Sequence, residues 1–91
     1  MEFLLQSEEL EAADSIDVMR ARIDAVDDAI IQLIIARTRL SVHIQAARIS
    51  GGEPRIVLSR ERAIRGRYRA ALGAPGDGVA DAVLRVCRGN G

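Results

Sequence analysis

Ile16, Met19, Ile23, Val26, Ile30, Leu33, Arg37, Leu40, Ile44 and Ala47 follow one another at alternating steps of three and four along residues 16–47. That spacing draws one face of an α-helix. No Gly or Pro appears from Ile16 until Gly51, so the stretch predicts a single helix of about 34 residues, roughly 50 Å long at 1.5 Å per residue. Asp14 or Ser15 is placed to cap its start, and Gly51-Gly52 with Pro54 close behind gives a stop. Nine of the ten positions are apolar and the seventh, Arg37, is a guanidinium whose charge cannot be removed near neutral pH. A buried charge is costly unless an opposite charge meets it, and no acid occupies the stripe. Arg37 either pairs with an acid from elsewhere or receives an anionic ligand.

Beyond the long helix the chain reads as two shorter ones. Ser59 is a candidate cap for a helix running to about Leu72, and Gly73-Ala74-Pro75-Gly76-Asp77-Gly78 reads as a turn. Val79 to Arg88 forms a third helix, with Val79, Val83 and Val86 on one side, and Gly89-Asn90-Gly91 frays. Residues 1–14 read as a flexible acidic tail and residues 15–91 as the helical domain. The fold class is therefore all-α: three helices, one long and N-terminal and two shorter.

Composition narrows the function. With 91 residues, one domain is the limit. Thirteen basic residues balance thirteen acidic ones, which argues against a nucleic-acid binder working by bulk charge. All thirteen basic residues are arginine, so any anion here meets flat, bidentate donors. The single cysteine, Cys87, precludes an internal disulfide and fits a reducing compartment. Met1-Glu2-Phe3-Leu4-Leu5-Gln6-Ser7-Glu8-Glu9 has no basic leader and too short an apolar run for a signal peptide, and no stretch approaches a membrane span. These features predict a soluble cytoplasmic protein.

Length and greasiness together predict a partner. A chain of this size folds to a radius of gyration near 13 Å, and two short helices cannot cover a helix of about 50 Å. The centre, Ala29-Ile30-Ile31-Gln32-Leu33-Ile34-Ile35-Ala36, is apolar nearly all round and should be buried on several sides. A symmetric homodimer with intertwined long helices satisfies both demands. A looser coiled coil would bury one seam only, and Ile31 and Ile35 lie off it.

The arginines then fall into a pattern. Arg37 and Arg48 are 11 residues apart, about three turns, so they share a face. Extended, they can bracket a small dianion. Arg20 lies about 26 Å before Arg37 and cannot serve the same site from the same chain, though a partner's copy could in an antiparallel dimer. Arg60 and Glu61 open the second helix, where a helix start favours an anion. His43 and Cys87 are the only histidine and cysteine, so no metal cluster is expected, and no phosphate loop or nucleophile-and-base pair is present. Cations, one acid and no nucleophile suit a reaction that needs orientation and charge stabilisation alone, without a cofactor.

The chain resembles the all-helical chorismate mutases, most closely their short stand-alone members, over about residues 16–88. The matching pieces are Met19-Arg20-Ala21-Arg22-Ile23-Asp24-Ala25-Val26-Asp27, Arg37-Thr38-Arg39-Leu40-Ser41, Ala47-Arg48 before Gly51-Gly52, and Pro54-Arg55-Ile56-Val57-Leu58-Ser59-Arg60-Glu61. The resemblance implies a Claisen rearrangement of chorismate to prephenate, in the making of aromatic amino acids. It implies that Arg37 and Arg60, with Arg20 from the other subunit, hold the substrate carboxylates. By the same resemblance Arg48 is the cation at the ether oxygen and Glu61 accepts from the ring hydroxyl. Val57 makes a backbone contact, and Cys87 stands where the family carries a small hydroxyl. The glutamine that many relatives place near the end of the third helix falls at about Gly91, so this chain lacks it, and Arg88 is the residue at hand to compensate. Short members of this kind dock their C-terminus on the first enzyme of the shikimate pathway, although Arg88-Gly89-Asn90-Gly91 lacks the leucine of their tails. The same scaffold also serves 4-amino-4-deoxychorismate mutases and isochorismate–pyruvate lyases, and Glu61 suits a hydroxyl or an ammonium. A non-catalytic helical dimer that regulates a shikimate-pathway enzyme is the reading from another class.

Blander readings compete at single residues. Arg37 can be a structural arginine paired with Glu61, and Arg48 a solvated cation at a helix end. His43 and Cys87 suit structural roles, and Tyr68 is a packing aromatic.

Overall fold

The structure is a computed structural model and describes residues 15–52 and 57–88. The acidic tail 1–14, Pro54 and Arg55, and residues 89–91 lie outside the described residues. Three helices make up the described chain: α1 (Ile16–Ser50), α2 (Leu58–Leu72) and α3 (Gly76–Arg88). The all-α expectation holds. The chain divides into two compact units, Met1–Leu33 and Ile34–Gly91.

The described part of the first unit is the N-terminal stretch of α1. Ser15 caps it: its Oγ accepts from the Val18 N–H at 3.1 Å and its carbonyl accepts from the Met19 N–H at 3.0 Å. Asp17 stands in the first turn, where the helix dipole favours a carboxylate. Within the single chain Ile23, Ile30 and Ile31 are exposed, and Leu33 remains 55% exposed. No residue of α1 is buried at all. The expectation that its apolar centre is buried on several sides is therefore not met by this chain alone, because two short helices offer too little surface to cover it.

In the second unit, α1 ends where Gly51 and Gly52 donate to Ala47 and Ile49 carbonyls, each at 3.1 Å. The half-buried residues on this part of α1 are Ile34, Arg37, Thr38, Ser41, Gln45 and Arg48. That face is mostly polar. Leu40 and Ile44, on the predicted apolar stripe, stay exposed. Arg37 and Arg48 therefore belong to a polar face beside the stripe.

α2 and α3 form an antiparallel pair. Ile64 of α2 meets Ala80 and Leu84 of α3, with Tyr68 packed against them, and Val83 and Cys87 complete the buried set. Three ion pairs flank this core: Arg88–Glu61, Arg65–Asp81 at 2.5 Å, and Arg69–Asp77 at 2.8 Å. Gly73 adopts φ 82°, a left-handed conformation, and its N–H returns to the Arg69 carbonyl at 2.8 Å, closing α2. Gly76 then passes directly beneath Tyr68: a Cβ there would lie 2.6 Å from the Tyr68 carbonyl carbon and 2.7 Å from the Arg69 nitrogen. Only glycine permits that approach.

Three local expectations are corrected. α2 begins at Leu58 with Val57 as its cap residue, whose carbonyl accepts from Glu61 N–H at 3.1 Å, so Ser59 lies inside the first turn and does not cap. α3 begins at Gly76, three residues before Val79, because Pro75 supplies the first carbonyl, to the Val79 N–H at 3.2 Å, and Asp77 favours the new N-terminus. Its inward face is Ala80, Val83, Leu84 and Cys87, whereas Val79 and Val86 are exposed.

Candidate active site

The polar face of α1 borders a cavity of about 150 Å³ in the second unit. Arg37, Ser41, Gln45 and Arg48 recur at helical spacing along one wall. The first turn of α2 supplies Val57, Arg60 and Glu61, and the end of α3 supplies Cys87 and Arg88. Ile64 and Leu84 carry the apolar core up to the cavity. Six of the seven expected site residues, Arg37, Arg48, Val57, Arg60, Glu61 and Cys87, thus meet around one space. The seventh, Arg20, does not line it and is exposed.

Four guanidinium groups and one carboxylate face the cavity. The carboxylate, Glu61, is only 14% exposed and is committed: Arg88 Nη1 donates to its Oε2, and Arg65 Nη2 lies 3.8 Å from its Oε1. Arg65 in turn donates through Nε to Asp81 Oδ1 at 2.5 Å, and this hydrogen bond raises the Arg65 pKa above its ordinary value. Glu61 therefore pairs with Arg88 and Arg65, and the structural pairing of Arg37 with Glu61 is not what the chain adopts.

Arg37 faces sulfur. Burial pushes the Cys87 thiol pKa up, but the Thr38 hydroxyl, the Arg37 guanidinium (through a hydrogen bond and its charge) and Ser41 together pull it below the ordinary thiol value. Thr38 Oγ1 lies 3.5 Å from the sulfur and also donates to the Ile34 carbonyl at 2.8 Å. Cys87 is both a small buried residue and a wall of the cavity. A second opening of about 420 Å³, lined also by Arg67, Tyr68 and Leu72, shares Arg37, Arg60 and Ile64 with the first.

Ser41 and Gln45 line the cavity although sequence reading did not place them there, and Arg88, named there only as a stand-in for the missing glutamine, lines it too. Ser41 and Gln45 are four and eight residues after Arg37, so the spacing that joins Arg37 to Arg48 carries them as well. Gln45 Oε1 is buried with no hydrogen-bond partner among the described residues. No group of three or more His, Cys, Asp or Glu able to hold a metal occurs among the described residues, and no described helix is long and apolar enough to cross a membrane.

An all-helical scaffold with flat cations gathered around a small space has the chemistry that suits an organic anion. Residues 19–88 match the family model for chorismate mutase type II. The chain is 42% identical over 82 residues to the intracellular chorismate mutase of Mycolicibacterium smegmatis, covering 90% of this chain and 79% of that protein. It is 36% identical over 85 residues to those of Mycobacterium bovis and Mycobacterium tuberculosis, covering 93% of this chain and 80% of each. No solved structure gives a significant match. The chain belongs to the chorismate mutase type II family.

Proposed function

We propose that the protein is a chorismate mutase, an isomerase that rearranges chorismate to prephenate inside the cell with its own side chains alone. The observation that carries this reading is the meeting of Arg37, Arg48, Arg60 and Glu61 around one cavity. The substrate is a dianion with a flexible enolpyruvyl arm. Arg37 and Arg60 grip its carboxylates and hold the arm over the ring, which removes rotational freedom before the reaction begins. Arg48 is fixed beside the ether oxygen, where negative charge grows as the C–O bond breaks. Glu61 and the Val57 backbone receive the ring hydroxyl, and Cys87 lies against the bound anion. Every proton stays in place, and the enzyme works by binding the transition state more tightly than the ground state.

The working form is a homodimer. Two features support it: α1 has no buried residue within the single chain, and the cavity of about 150 Å³ is below the roughly 300–1,000 Å³ usual for small-molecule sites. A second copy's α1 covers the exposed apolar side chains and brings Arg20 to the opening beside Arg37 and Arg60. Docking on the first shikimate-pathway enzyme is carried only by the overall family resemblance, since the tail Arg88-Gly89-Asn90-Gly91 lacks the family's leucine, and a rise in turnover on adding that enzyme is its test.

The test mixes purified protein separately with chorismate, isochorismate and 4-amino-4-deoxychorismate and follows loss of the ring-diene absorbance together with product identity. Prephenate formed faster than any other product supports the reading. Pyruvate release from isochorismate identifies a lyase, and preference for the amino compound identifies an aminodeoxychorismate mutase. No turnover of any of them, with tight binding to a larger enzyme, identifies a regulator.

A further inference from the structure

Glu61 meets a guanidinium at each oxygen: Arg88 at Oε2 and Arg65 at Oε1. Arg65 is anchored from its far side by Asp81. Arg88 lines the cavity together with Glu61, and its side chain is 25% exposed against 14% for Glu61. A carboxylate offers about four acceptor directions, so two guanidinium contacts leave room for a further donor. What they do not leave is unbalanced negative charge. A neutral hydroxyl can donate to the remaining lone pair without cost from its surroundings. An ammonium in the same place adds a cation to a cluster already in balance, Glu61 and Asp81 against Arg88 and Arg65, with Arg37, Arg48 and Arg60 also facing the cavity. Like charges that close repel strongly in a half-buried site.

We propose that Arg88 is a specificity-determining residue, which makes the Glu61 end of the cavity select a ring hydroxyl over a ring ammonium. The inference rests on the chorismate mutase reading and deepens it. Arg88 acts through Glu61: it holds the carboxylate in place and offsets its charge, so an acid that would otherwise attract either group accepts only the neutral one. Carboxylate geometry alone cannot make that distinction. The second guanidinium, Arg65, lies outside the cavity lining, and Arg88 is therefore the cation of the pair that the substrate meets.

The experiment measures kcat/KM for chorismate and for the analogue with an amino group in place of the ring hydroxyl, using the full chain. The variants are wild type, Arg88→Gln, Arg88→Met and Arg88→Lys, with Arg69→Gln as a control in an exposed pair that lines neither opening. Wild type is expected to prefer chorismate. Removing the charge in Arg88→Gln and Arg88→Met should shift the ratio of the two kcat/KM values toward the amino analogue by about tenfold or more. Arg88→Lys should keep the wild-type preference, and Arg69→Gln should leave the ratio unchanged. A role in folding alone would lower both substrates together, so the ratio separates the two roles. If Arg88→Met fails to fold, Arg88→Gln retains a hydrogen bond to Glu61 and carries the test. An unchanged ratio in a folded, charge-removing variant overturns the inference while wild-type turnover of chorismate leaves the parent reading standing. Absence of wild-type turnover on chorismate overturns both.

Discussion

Leu40→Ala tests whether the exposed apolar side of α1 is an interface between copies of this chain. Leu40 is 64% exposed within the single chain, so about two thirds of its surface is available to a partner. Fully burying a leucine is worth roughly 1.5–3 kcal/mol. Two thirds of that is about 1–2 kcal/mol per copy, and the two-fold symmetry of a dimer doubles it to about 2–4 kcal/mol. At 1.4 kcal/mol per decade, the dimer dissociation constant should rise by about 30- to 700-fold. Were the chain a working monomer, the same substitution would be a surface change costing within about 0.5 kcal/mol. Sedimentation velocity over a dilution series reads the dissociation constant directly. Activity in the same series adds the link to function, because in the proposed dimer the partner's copy of Arg20 completes the cavity. Leu40→Ala should lose turnover on dilution and regain it when concentrated. A variant whose sedimentation and activity match wild type at every concentration would refute the interface, and with it the assignment of Arg20.

Arg48→Ala should lower kcat for chorismate by about 10²–10³-fold, or about 3–4 kcal/mol, with less effect on KM, in a steady-state assay. Cys87 should give the enzyme an early alkaline limb. Its thiol lies below the ordinary value, so thiolate forms sooner with rising pH, neutralises Arg37 and competes with a substrate carboxylate; Cys87→Ser should move that limb upward in a pH–rate profile. The linked stability has the matching sign: because the folded thiol value is depressed, the thiolate contribution is present above the unfolded value and lost as pH falls through the folded one. Denaturant titrations should therefore show wild type gaining on Cys87→Ser at alkaline pH and not at neutral pH. Gly76→Ala should destabilise the fold by at least about 1–3 kcal/mol, because the added carbon meets the Tyr68 backbone and that backbone cannot step aside. Unchanged thermal unfolding of that variant would contradict the close approach of α3 to α2.

Long-range order along α1 was legible because its determinants are local. An uninterrupted run between Ser15 and Gly51 sets both ends, and the Arg37–Arg48 spacing places both on one wall of the cavity. The inward face was read less well. Counting apolar residues draws attention to Leu40 and Ile44, yet the side of α1 that packs within this chain carries Thr38, Ser41 and Gln45. Polar residues that enclose a ligand look like a solvated face until the elements opposite them are known. The start of α3 was misplaced because Gly76 and Gly78 read as turn residues, whereas the need at Gly76 is close approach to Tyr68, which is a tertiary property. Arg88 illustrates the same limit from the other side. Nothing near it in sequence points to Glu61, 27 residues earlier, and only the antiparallel return of α3 brings them together.

The three rungs between α2 and α3 grade steadily in their access to water. Arg69 and Asp77, next to the connection, are 59% and 45% exposed; Arg65 and Asp81 are 36% and 44%; Arg88 and Glu61 are 25% and 14%. Dissolved ions screen the first rung most and the last least. Rising ionic strength should therefore loosen the hairpin from its bend, while the end that borders the cavity keeps its register in brine.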